Sequence, residues 1–157
     1  MSFPNDHGCE VYEGDANLIG AAISAYDWQA LRNGTAAHSF VGFPRFIYGD
    51  YFDWLAGAVA SVLGRPEVPI HDLRMVAGED GHWGANVLPA DWVAAVASVP
   101  AKDIWKLSQR WRDAYLRQGY SEQEAWPDAQ LLDPLYRLTT LCREAGSRHT
   151  DVVLLAT

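Results

Sequence analysis

The chain has 157 residues, 49% of them hydrophobic and 20% charged, which suits one domain with a sizeable core and excludes a disordered segment. Twenty acidic and twelve basic side chains give a formal charge of -8, a balance that repels nucleic acid and anionic membrane and favours basic partners. The excess acid lies entirely in residues 1–100, which hold 12 acids and 4 bases; residues 101–157 hold eight of each.

Residues 1–8 read as a polar tail with no signal peptide. Cys9–Glu13 is expected to be a short strand, with Cys9, Val11 and Glu13 on one face and Glu10 and Tyr12 on the other. Asp15 stands at a helix cap. Leu18, Ile19, Ala22, Ile23, Tyr26 and Ala30 recur at helical spacing, so one helix is expected from Ala16 to Leu31, ended by Asn33-Gly34. Residues 35–49 hold Phe40, Val41, Phe43, Phe46, Ile47 and Tyr48 around Gly42 and Pro44, and read as an irregular segment that plugs the core with its rings, or as a binding loop.

Tyr51–Leu63 is the stretch on which the rest should pack. Phe52, Leu55, Ala56, Val59, Val62 and Leu63 share a helical face, and the opposite face is mostly Ala and Gly. Asp50 is expected to cap it, Gly64 to take a left-handed turn and Pro66 to stop it. Ile70–Val76 alternates like a strand, and GEDGHWG (Gly78–Gly84) reads as a glycine-rich turn. Pro89 starts a helix that Pro100 ends, with Trp92, Val93, Val96 and Val99 as its stripe. A further helix spans Lys102–Gln118, with Ile104, Leu107, Trp111 and Tyr115 inward. Ser121–Glu124 has a capping-box pattern. A leucine-rich helix from Ala129 or Pro134 to Ala145 is closed by Gly146, and Asp151–Ala156 reads as a buried strand.

Few residues suggest chemistry. Glu79, Asp80 and His82 lie within four residues of one another beside Trp83, and an imidazole near carboxylates can act as a general base. The same residue types also make an ordinary exposed turn. His38, His71 and His149 are isolated in the sequence. Cys9 and Cys142 suit neither a disulfide framework nor a zinc site, which points to a reducing, cytoplasmic setting. No nucleophile elbow or phosphate loop is present, and no metal or cofactor is expected. Lys102, Lys106 and Arg110 form one basic helix face, read as solvated.

The segments LPADWVAAVASVPAKDIWKL and LDPLYRLTTLCREAGSRHTDVVLLAT place two joined helices before a helix, a glycine-containing turn and a final strand. Over Leu88–Ala156 this order resembles the small bacterial YfbM-like family of unknown function. That family opens with a Met-Gly-Met-Ile type strand, which this chain lacks. The resemblance implies an α+β domain and no catalytic residues.

The expected architecture is therefore a single α+β domain over residues 1–157. Three short strands, at residues 9–13, 70–76 and 151–156, would form a small sheet with four or five helices around it. The function that the composition favours is non-enzymatic protein binding, as in an immunity protein that neutralises a basic toxin. Asp50, Asp53, Trp54, Glu79, Asp80 and Trp83 are the candidate partner-binding residues, expected on one face. Neither nucleic acid nor membrane is an expected partner. The rival is a small enzyme or ligand-binding domain with His82, Asp80 and Glu79 in a pocket. A third reading is a structural subunit that dimerises through an exposed leucine face of its last helix.

Overall fold

The alternation in Cys9–Glu13 is the pattern on which the fold is built. The computed structural model describes residues 7–79, 82–121 and 128–156. It has five strands: β1 (His7–Gly14), β2 (Ser39–Pro44), β3 (Arg74–Glu79), β4 (Trp83–Val87) and β5 (Asp151–Ala156). They form one antiparallel sheet in the order β2-β1-β5-β4-β3. Val11 lies opposite Val41 on one side and Leu154 on the other; Tyr12 lies opposite Phe40 and Val153.

Each face of this sheet has its own core. Cys9, Val11, Val41, Phe43, Val152 and Leu154 pack against α3 (Tyr51–Leu63), α4 (Ala90–Ala97), α5 (Ile104–Arg117) and α6 (Leu132–Arg148). Tyr12, Ala77, Ala85, Val153 and Leu155 pack against α1 (Ala16–Ser24) and α2 (Trp28–Arg32). The result is a single α+β domain in three layers, with helices on both faces of the sheet. β5 is central and covered on both sides, so its sequence shows no polar alternation, which is why DVVLLA reads as a continuous apolar run. Among the described residues, no helix is long and apolar enough to cross a membrane.

Several boundaries differ from the sequence expectation, each for a local reason. The helix expected at 16–31 is two: Asp15 caps α1, accepting from the amides of Asn17 and Leu18. Tyr26 then takes a left-handed backbone (φ 54°), and Asp27 caps α2 by accepting from the amide of Ala30. Asp50 is not a side-chain cap. Its own backbone is already helical (φ -61°, ψ -24°), whereas a capping residue is extended. Gly64 does take the left-handed turn, at φ 64°. The supposed irregular segment contains the edge strand β2, with Phe43 and Ile47 fully buried as plugs.

The strand expected at 70–76 starts later, at Arg74, and the GEDGHWG turn is a hairpin whose arms are β3 and β4. Gly78 hides this in the sequence: a Cβ there would stand 2.9 Å from the Trp83 carbonyl, so the close strand approach requires glycine. α6 runs through Gly146 to Arg148, and His149 takes the left-handed cap instead (φ 56°). Its leucines Leu135, Leu138 and Leu141 are buried, so they form no exposed dimer seam. His7 and Gly8 belong to β1 and not to a tail. Residues 1–6 and the capping-box residues Glu122–Glu124 lie outside the described residues.

α3 buries Phe52, Leu55, Ala56 and Val59, as its spacing predicts, and Ala58 of its small-residue face, while Gly57 and Ala60 are only partly covered. It is nevertheless one helix of an outer layer. Asp53 and Ser61 reach solvent, and Trp54 is half-buried. The sheet, with β1 and β5 at its middle, is what the helices wrap.

Candidate functional site

The entry to α3 is set by two glycines. The segment 45–49 lies across one end of the sheet, where a Cβ on Gly8 would stand 2.6 Å from the Ile47 carbonyl and one on Gly49 would stand 2.8 Å from Ala156 Cβ. The Cys9 thiol donates to the Ile47 carbonyl at 3.4 Å. The indole Nε1 of Trp111, fully buried on α5, donates to the Tyr51 carbonyl at 2.7 Å. These contacts fix the first turn of α3 against the C-terminal half of α5.

That junction carries an array of five rings. Tyr51 stacks on Trp54 (centroids 4.5 Å apart, planes 19° apart) and meets Tyr48 and Tyr115 edge-on, each at 5.5 Å. Tyr115 stacks on Tyr120 at 4.6 Å and 10°, and Trp54 lies 6.2 Å from Tyr120. Tyr51 and Tyr115 are buried, Trp54 is half-buried, and Tyr48 and Tyr120 are 56% and 44% exposed. The array therefore runs from the core to the surface. Of its outer rings, Tyr120 is held by stacking and Tyr48 by an edge-on contact, so both lose little freedom when a partner docks.

Asp50 and Asp53 stand on the same turn as these rings. Neither makes an ion pair among the described residues. Partial burial, and then the nearby Asp50 charge, push the Asp53 carboxyl above the usual carboxylate range. Burial and then the same Asp50 charge push the Cys9 thiol up to about 12. Burial also holds the Cys142 thiol at about 12, against a smaller opposing effect of Arg143. Both cysteines thus remain protonated thiols at neutral pH and are poor nucleophiles.

The structure brings Asp50, Asp53 and Trp54 together and separates them from Glu79 and Trp83. The latter two face each other across the β3–β4 hairpin, and Trp83 packs towards the α1 and α2 side of the sheet. The two groups share one end of the sheet, because Gly49 rests on Ala156 and Ala156 pairs with Gly84. They do not share a face. Asp80 lies outside the described residues. His82 is exposed, and its amide donates to the Glu79 carbonyl at 3.0 Å, which is turn geometry and not a pocket. Among the described residues, no group of three His, Cys, Asp or Glu side chains is placed to hold a metal.

Tyr48, Tyr115 and Tyr120 belong to this face, and sequence reasoning missed it. Tyr115 reads as an ordinary core position, and Tyr48 and Tyr120 are separated by 71 intervening residues. Only the packing of α3 on α5 unites them. No protein-family model, curated protein or solved structure matches the chain.

Proposed function

We propose that this protein binds a basic protein partner, in the manner of an immunity protein, through the face formed by Tyr48, Asp50, Asp53, Trp54 and Tyr120. One observation carries this reading: two carboxylates without ion-pair partners among the described residues stand beside a surface-reaching aromatic array. Guanidinium and ammonium groups are recognised by that combination, since carboxylates supply charge-assisted hydrogen bonds and ring faces supply cation–π attraction. Tyrosine and tryptophan are also the residues enriched at the energetic centre of interfaces. The net charge of -8 would speed encounter with a basic protein. The reducing cytoplasm suits a chain whose two cysteines are free and buried.

The test is capture of a basic partner by wild type, by an Asp50→Asn/Asp53→Asn variant and by Trp54→Ala, at moderate and high salt. The reading expects one basic protein whose retention falls with salt and with each of these variants, while Glu79→Gln has little effect. Equal capture by wild type and the Asp50/Asp53 variant would remove this face as the binding site. An enzyme centred on His82 is less well supported, because that side chain stands in solvent on a hairpin turn.

A further inference from the structure

A basic protein can offer two kinds of side-chain cation, and the α3 entry does not treat them alike. Tyr115 and Tyr120 lie nearly parallel, their planes 10° apart and their centroids 4.6 Å apart. This stack covers one face of Tyr120, yet the ring is 44% exposed, so its other face is open to solvent. Trp54 stands 6.2 Å from Tyr120 and has Tyr51 stacked on it at 4.5 Å. A flat group can continue the stack on the open Tyr120 face. The arginine guanidinium is flat and weakly hydrated, whereas the lysine ammonium is compact and strongly hydrated.

The carboxylates set a second condition. Asp50 already has helical backbone, so Asp50, Asp53 and Trp54 fall at i, i+3 and i+4 on one side of α3. Such neighbours have Cβ atoms about 5–6 Å apart. Both acids are exposed, and the Asp50 charge helps to raise the Asp53 pKa, so the two charges feel each other. A guanidinium spreads five donors around one plane and can reach both carboxylates while its face rests on a ring. The chain already contains one such arrangement. Arg32 pairs with Glu10 while its guanidinium lies over the rings of Trp28 and Phe40.

Resting on the reading that this face receives a basic partner, we infer that the group it selects is an arginine side chain. The guanidinium would lie on the open face of Tyr120 beside Trp54, with its edge donating to Asp50 and Asp53. Lysine would meet the carboxylates alone.

N-acetylarginine amide and N-acetyllysine amide, equal in charge, are the probes. Titration into isotope-labelled protein is expected to give saturable amide shifts over residues 48–54 and 115–120, with lysine weaker by about threefold or more. Tyr120→Leu removes the open ring and should bring arginine down to the level of lysine. Asp50→Asn/Asp53→Asn should weaken both compounds. Equal affinity for the two compounds in wild type overturns the arginine assignment, as does an arginine preference that survives in Tyr120→Leu. So does the absence of saturable shifts in these two stretches. None of these results removes the partner-binding face itself, which stands or falls on capture of a basic protein by wild type and by the Asp50/Asp53 variant. If Tyr120→Leu fails to fold, the wild-type comparison decides.

Discussion

Arg32 Nη2 donates to both carboxylate oxygens of Glu10, at 2.7 and 2.8 Å, across the sheet face that α2 covers. Glu10 is only 2% exposed and also accepts from the Tyr12 hydroxyl. The Arg32 guanidinium lies over the rings of Trp28 and Phe40, 5.8 and 5.2 Å from their centroids. α2 has only five residues, and this ion pair, together with the buried Leu31 side chain, holds it to the sheet. Removing one partner of a buried pair leaves an uncompensated charge, at a cost of about 3–5 kcal/mol. Arg32→Ala is therefore expected to lower the unfolding free energy by about 3 kcal/mol, the lower end because the guanidinium is partly exposed. Arg32→Lys should recover only part of this, since an ammonium cannot stack on the two rings. Urea denaturation of the three proteins measures both effects.

Two helical glycines should respond to alanine with opposite signs. A Cβ on Gly20 in α1 would stand 2.6 Å from the Val76 carbonyl and 2.9 Å from Val76 Cβ, so α1 packs on β3 through a bare backbone. Gly20→Ala must push helix and strand apart, with an expected loss of about 1–3 kcal/mol. Gly146 in α6 has open space around it, and Gly146→Ala should gain about 0.5–1 kcal/mol from helix propensity and a less free unfolded chain. Denaturation midpoints that move the same way in both variants would contradict these two packing environments.

His71 ties the segment after α3 to the start of α4. Its Nε2 lies 2.9 and 3.1 Å from the two Asp91 oxygens, and its Nδ1 lies 3.0 Å from Asp72. The hydrogen bond to Asp91, and then that to Asp72, raise the His71 pKa above its ordinary 6.5. The hydrogen bond from His71 holds Asp91 below its ordinary 3.8. A raised histidine contributes stability that is complete below 6.5 and fades as pH rises through the folded value. A lowered aspartate contributes above 3.8 and fails only as pH falls through its folded value. Wild type should therefore exceed His71→Gln in melting temperature most clearly between the ordinary aspartate value of 3.8 and the ordinary histidine value of 6.5, with the gap narrowing as pH rises further. All three side chains are exposed, so the gap should be small and shrink in high salt.

What could be read from the sequence follows the range of the interactions involved. α3, α4 and α5 were legible because one amphipathic face and local end signals specify each: Gly64 for α3, Pro89 and Pro100 for α4. The two faces of β1 were legible because alternation is local, and β5 because a central strand is apolar throughout. β3 was legible only over Arg74–Val76 and β4 was not, because Gly78 and Gly84 remove the side chains that would show the alternation. The burial of Glu10 was also hidden, since its partner is 22 positions away on a different element. At the candidate site, Asp50, Asp53 and Trp54 were legible as one turn of helix. Their union with Tyr120 depends on how α3 crosses α5, and no local pattern encodes that.

Asp53 offers a signature that distinguishes a binding residue from a structural one. Burial and the neighbouring Asp50 charge raise its pKa, so the fold favours the protonated acid over the carboxylate. A carboxyl whose folded pKa exceeds its unfolded value of 3.8 loses stability as pH rises from below 3.8 through the folded value, and the penalty persists at neutral pH. Asp53→Asn is therefore expected to raise the melting temperature at pH 7, with the gain disappearing in acid below the ordinary carboxylate range. Asp50→Asn should bring the Asp53 titration, followed by carboxyl NMR, back towards its usual position. If the proposed face receives a cation, the same Asp53→Asn change that stabilises the free protein should weaken capture of the basic partner, because a bound guanidinium would relieve the repulsion between the two carboxylates. A variant that is more stable and equally retentive would assign Asp53 no part in binding, whereas a less stable one would contradict the electrostatics of the α3 entry itself.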